Sequence, residues 1–203
     1  MPRLLRPAVL AAALAATLTL PGCLPVMATG AAVGTMAAID RRTVGAQTED
    51  QGIELKAMNR LRSALEQPGG VSVTSYNRKV LLTGQVASEK DKRTAEAVVG
   101  ELDNVRSIHN ELQIAGQPSL ETKTADSLIT ARVKAALFNA KDLQANTIKV
   151  VTESGNVYLM GLVSRREGTR AADVASRVAG VQRVVTVFEY ITEEEAGRTA
   201  HRE

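Results

Sequence analysis

Apolar residues at Ile53, Ala57, Leu61, Ala64 and Leu65 recur at three- and four-residue spacing and predict one face of a helix, which Pro68-Gly69-Gly70 ends. Val71 to Tyr76 and Val80 to Val86 read as a hairpin closed near Asn77-Arg78. Ser88 stands where it would cap a helix running to about Leu102, and Val105 to Ile114 predicts a third strand. The whole order then returns. Ile129, Val133, Ala136, Leu137 and Ala140 form a helical stripe, and Ile148 to Thr152 and Asn156 to Val163 form a hairpin with Ser154-Gly155 aligned on Asn77-Arg78. Arg166 to Ala179 is helical in pattern, and Val181 to Ile191 is the closing strand. Val80-Leu81-Leu82-Thr83-Gly84-Gln85-Val86 comes back 77 positions later as Val157-Tyr158-Leu159-Met160-Gly161-Leu162-Val163. A unit present twice describes two small modules rather than one enzyme folded around a cleft.

The expected fold is therefore α+β: two tandem αββαβ modules, at residues 53–114 and 126–191, each a small three-stranded mixed sheet with two helices on one face. The copies differ in instructive places. Asn104 stands where the second copy has Gly180, and both residues tolerate the left-handed conformation of a helix stop. Gly84 and Gly161 interrupt strands, which points to close approach of another backbone, expected to be the neighbouring helix. Leu65 to Val71 spans six positions, whereas Leu137 to Ile148 spans eleven.

Upstream of the repeat the chain begins with Arg3 and Arg6 and an uncharged run from Ala8 to Leu20. That run is short of the roughly 20 apolar residues that span a bilayer, so residues 1–22 read as an export signal. It ends in Leu20-Pro21-Gly22-Cys23, which resembles the lipobox of bacterial lipoproteins. The resemblance implies that Cys23 carries a diacylglycerol thioether, and several acyl chains make such an anchor effectively permanent. Leu24, where an aspartate would signal inner-membrane retention, then implies the outer membrane, facing the periplasm. Leu24 to Ile39 is uncharged, and its Gly30-Ala31-Ala32-Val33-Gly34 has the spacing that lets membrane helices approach. Beside an anchor it is better explained as a tether or a strap on the first module. Asp40 to Gly52 is polar and completes a lipidated N-terminus and linker at 23–52.

Removing Arg3 and Arg6 leaves 23 basic against 22 acidic residues, a balance that does not imply nucleic acid. With no Trp, two Phe and three Tyr, the cores must come from Val, Leu, Ile and Ala. Chemistry is poorly provided for. His109 falls on a strand and His201 in the polar tail at 192–203, which reads as disordered, with Glu193-Glu194-Glu195 a solvated stretch within it. No spacing suits a metal, no glycine-rich loop opens a helix for phosphate, and no nucleophile has a nearby histidine. The expectation is a non-enzyme with no cofactor and no metal.

Binding is better supported. Module one has nine basic and eight acidic residues, module two nine and six, so the positive excess lies on the second. In the first helix of module two, Leu128, Arg132 and Ala135 lie a quarter-turn or more from the core stripe, with Lys134 and Phe138 farther round and Lys141 just beyond. Apolar residues beside basic ones, off the core face, suit insertion into a headgroup layer. The competing explanation is that Leu128 and Phe138 pack on module one or on the linker. On the last strand, His109, Glu111 and Gln113 of module one align with Val185, Val187 and Glu189 of module two, so module one is expected to dock on that valine face and make one rigid body.

The helix-strand-strand-helix-strand order, the two Val-x-Leu-x-Gly-x-Val strands and Val178-Ala179-Gly180-Val181-Gln182-Arg183-Val184-Val185 resemble BON domains. A lipobox followed by two of them resembles the dual-BON lipoproteins of Gram-negative envelopes. That resemblance implies anionic phospholipid binding through the first helix of module two, with Leu128 and Phe138 inserting, Ala135 between them, and Arg132, Lys134 and Lys141 on headgroup phosphates. It further implies a part in envelope integrity, at the division site among others. An adaptor or periplasmic stress chaperone for envelope assembly proteins is the alternative.

Overall fold

The computed structural model describes residues 40–66, 70–116 and 118–200, with the side chains of 198–200 left aside. The signal, Cys23 and the tether, as well as Pro68-Gly69 and His201, lie outside the described residues. Helix α1 (Val44–Ala64) leads into β1 (Val71–Tyr76), β2 (Lys79–Val86), α2 (Glu89–Gly100), β3 (Ser107–Asn110) and β4 (Gln113–Ile114). Module two follows with α3 (Leu120–Asn139), a short 3₁₀ turn (Ala145–Thr147), β5 (Ile148–Glu153), β6 (Asn156–Val163), α4 (Arg165–Ser176) and β7 (Arg183–Tyr190), and α5 (Glu193–Ala200) closes the described chain.

Each helix starts where a side chain can satisfy its free amides. Thr43 accepts from Ala46 N, Ser88 from Asp91 N, Ser119 from Thr122 N and Ser164 from Glu167 N, the last in a reciprocal capping box. In both modules the first two strands pair antiparallel and the last pairs parallel to the middle one, so the order is β1-β2-β3 and β5-β6-β7. The expected mixed sheets and paired helices are thus present. The third strand of module one is broken, however: after Asn110 the chain turns Leu112 into the core before β4 resumes the parallel pairing. Asn110 stabilises the break by donating from its side chain to the Lys92 carbonyl at 3.0 Å.

Both hairpins turn through two residues in the left-handed region, Asn77 and Arg78 (φ 50° and 66°) and Ser154 and Gly155 (φ 49° and 74°). This suits the right-handed twist of the strands. Only one of the four is glycine, and each non-glycine residue held there costs on the order of 1–3 kcal/mol. A buried aspartate from the first helix of each module offsets that strain. Asp50 accepts from Asn77 N and Arg78 N, both at 2.7 Å, and Asp126 from Ser154 N at 2.7 Å and Gly155 N at 2.8 Å. Both carboxylates stand three residues before the first core isoleucine of their helix.

The strand glycines do mark close approach, but of a backbone rather than a helix. A Cβ on Gly84 would collide with the Gly70 carbonyl oxygen, and one on Gly161 would lie 2.6 Å from the Thr147 carbonyl oxygen. The approaching atom in each case is the residue that feeds the adjacent edge strand.

Helices α1 and α2 cover one face of the first sheet around Ile53, Ala57, Leu61, Val73, Leu82 and Val99; α3 and α4 do the same in module two around Ile129, Val133, Leu137, Leu159 and Ala175. The opposite faces of the sheets meet each other. Tyr76, Leu81, Tyr158, Met160, Leu162 and Val187 form a third core there, with Val185 partly buried against it. Coverage on both faces explains why β2 and β6 are apolar almost without alternation. Module one therefore docks on the valine face of β7. The rim is polar: Lys79 Nζ donates to the Phe188 carbonyl at 2.9 Å, Asn77 Nδ2 to Glu189 at 2.8 Å, and Arg183 to Glu111 at 2.7 Å.

Two segments depart from expectation. The polar residues from Asp40 are not a linker; α1 begins nine residues before Ile53, and Arg41 just ahead of it reaches into module two. Arg41, its side chain 3% exposed, pairs with both carboxylate oxygens of Glu167 at 2.8 Å, and donates to the Leu162 carbonyl at 2.7 Å and the Ala196 carbonyl at 3.0 Å. Arg42 pairs with Asp50 at 2.8 Å and lies over the Tyr76 ring, 4.0 Å from its centroid. The Tyr76 hydroxyl itself donates to the Thr147 carbonyl at 3.2 Å, and burial pushes that phenol up to about 12. The tail is not disordered over its described length either: it forms α5 and buries Ala196 beside Arg41. Sequence composition missed both segments because their order comes from distant partners, not from local periodicity.

Candidate functional site: the outward face of helix α3

Helix α3 buries Asp126, Ile129, Val133 and Leu137. Its far side is apolar as well: Leu128 is 53% and Phe138 73% exposed, and Ala131 and Ala135 lie open between them. Leu120, 80% exposed, extends this ridge into the first turn and was not among the expected contacts. Among the described residues, neither Leu128 nor Phe138 is covered by module one or by Asp40 to Arg42. The outward side of α1 differs. Leu55 is exposed there, but among Lys56, Asn59, Arg60 and Arg62, all open to solvent.

Charge arranges itself around the ridge. Of the nine basic residues in module two, Lys149 pairs with Glu54, Arg166 with Glu193, Arg170 with Asp142 and Asp173, Arg177 with Asp173 and Arg183 with Glu111. Arg165 stacks on the Tyr190 ring at 4.9 Å. Arg132, Lys134 and Lys141 remain, with no carboxylate in ion-pair range among the described residues. Arg132 makes one long contact, 3.4 Å to the Ala179 carbonyl, and otherwise faces water. At 100° per residue, Arg132 and Lys134 flank the ridge from opposite sides, and Lys141 follows at the helix end. Net charge alone could not have singled these three out, because pairing elsewhere decides which cations are left.

Beside Phe138 the surface opens into a cleft of about 440 Å³, lined by Lys134, Ala135, Leu137, Phe138, Ala145, Asn146 and Ile148. Its far wall is the 3₁₀ turn that leads into β5. No other arrangement suggests chemistry: among the described residues no group of three His, Cys, Asp or Glu could hold a metal ion. His109 lies on β3, its pKa lowered by burial and by Lys79. No helix among the described residues is long and apolar enough to cross a membrane.

The structure is thus two αββαβ units joined through their sheets, with one helix left apolar and cationic on its outer side. The chain belongs to the BON domain family, whose profile matches residues 49–116 and 125–192. It is 36% identical over 184 residues to outer membrane lipoprotein DolP of Haemophilus influenzae, covering 90% of this chain and 95% of that one. It is also similar to the 21 kDa hemolysin of Actinobacillus pleuropneumoniae (32% identical, 75% of this chain and 80% of that one) and to osmotically-inducible protein Y of Escherichia coli (30%, 56% and 58%).

Proposed function

We propose that this chain is a non-catalytic lipoprotein of the outer membrane, anchored through Cys23 and facing the periplasm, that holds anionic phospholipid with α3 and supports envelope integrity. The observation that carries the reading is the exposed ridge of Leu128, Ala135 and Phe138 bordered by Arg132, Lys134 and Lys141, which have no carboxylate partner among the described residues. Fully burying a Leu or Phe side chain contributes about 1.5–3 kcal/mol. Each Lys or Arg at an anionic surface adds about 1 kcal/mol. Leu128 and Phe138 insert between headgroups, while Arg132, Lys134 and Lys141 meet phosphates. The similarity to an outer membrane lipoprotein over nearly the whole chain supports the address.

Flotation of residues 23–203 carrying Cys23→Ser with phosphatidylglycerol vesicles tests this, since the protein then has no acyl anchor of its own. Binding that weakens with salt and is lost in Leu128→Glu is expected. Vesicles that fail to lift the unsubstituted protein would refute the lipid reading, and capture of an envelope protein by Leu128-centred cross-linking would put an adaptor in its place.

A further inference from the structure

The cleft beside Phe138 lies between the last turns of α3 and the connection that leads into β5. That connection sets Ala145 and Asn146 opposite the last turns of α3, over a floor of Leu137 and Ile148. The lining holds one ammonium, Lys134, and no carboxylate, and its volume falls within the range of small-molecule sites, about 300–1,000 Å³. Phe138 forms one wall with most of its ring still open to solvent.

We infer that this cleft takes a single acyl chain of an anionic phospholipid, with Lys134 at its mouth on the lipid phosphate. The inference rests on the lipid reading of α3 and deepens it: the ridge meets the bilayer as a surface, and the cleft engages one molecule within it. An apolar floor selects a hydrocarbon chain, and a lone cation without a competing carboxylate selects a negative headgroup over a neutral one. A protein so equipped distinguishes lipids one at a time as well as adsorbing to charge.

The test uses residues 23–203 with Cys23→Ser and a short-chain lysophosphatidylglycerol kept below its critical micelle concentration, followed by amide NMR. Saturable shifts at Phe138, Ala145 and Asn146 are expected, with tighter binding than lysophosphatidylcholine. Ala145→Phe, which fills the cleft, should weaken the monomeric lipid at least tenfold while vesicle flotation persists. Lys134→Gln should remove the preference for the anionic headgroup, and it supplies the answer if Ala145→Phe does not fold. Absence of saturation, or shifts confined to the ridge around Leu128 and Ala131, overturns the cleft and leaves the vesicle reading standing. Loss of vesicle flotation as well would instead condemn the lipid reading itself.

Discussion

Gly84 and Gly161 occupy the same place in the two middle strands, yet they are not equivalent. Gly84 is held at φ 105°, whereas Gly161 is not in the left-handed region, although a side chain on either meets a carbonyl oxygen. Gly84→Ala therefore combines a steric clash with a backbone penalty of about 1–3 kcal/mol. Urea denaturation is expected to show Gly84→Ala as the more damaging of the two substitutions, by about that difference. Glu167 offers a second test at this scale. Burial pushes its carboxyl up, but the Arg41 guanidinium and the Ser164 amide outweigh burial and hold it below the usual range. A depressed folded pKa means the contribution is complete above the unfolded value, about 4.3, and is lost as pH falls through the lower folded value. Melting temperature should thus fall with acid over that interval, and less steeply in Arg41→Met. Glu167→Gln strands a buried guanidinium and should cost about 3–5 kcal/mol at neutral pH.

At the scale of elements, α3 stands apart because it is apolar on two opposite sides. A helix of that kind is either buried all round or has something to meet. Its inner stripe was legible as the repeat of Ile129, Val133 and Leu137; its outer ridge was legible only as residues away from that stripe. Since more than half of Leu128 is exposed, Leu128→Glu should leave stability within about 0.5 kcal/mol of the parent by denaturation. A large destabilisation would show that the flotation loss reflects unfolding. The hairpin turns were located correctly from Asn77-Arg78 and Ser154-Gly155, but their support was not. Asp50 and Asp126 sit in step with the helical stripe, three residues before Ile53 and Ile129, and that matched spacing was the available signal.

The whole molecule is held by three cores, of which the middle one belongs to neither module. Modules of about 60 residues bury limited apolar surface, so the core they share matters to the stability of both. Leu81 is fully buried within it. Leu81→Ala should destabilise by about 2–5 kcal/mol, and NMR relaxation should report one tumbling time for the parent. Distinct tumbling of the two halves in the parent would contradict a single rigid body. Arg41 adds a tie of another kind, since it joins the segment ahead of α1 to module two and α5.

Sequence determined the repeat, the order of elements, the turn positions and the inner stripe of each helix, because these follow from contacts between residues close along the chain and from strict periodicity. It also pointed to the valine face of β7, where an expected outward strand face was too apolar for water. Tertiary structure alone decided that Asp40 to Arg42 is a clasp, that Glu193–Ala200 is a helix, and that Arg132, Lys134 and Lys141 have no carboxylate in ion-pair range among the described residues. Pairing and exposure depend on which distant groups arrive in space. Local pattern carries no record of that arrival.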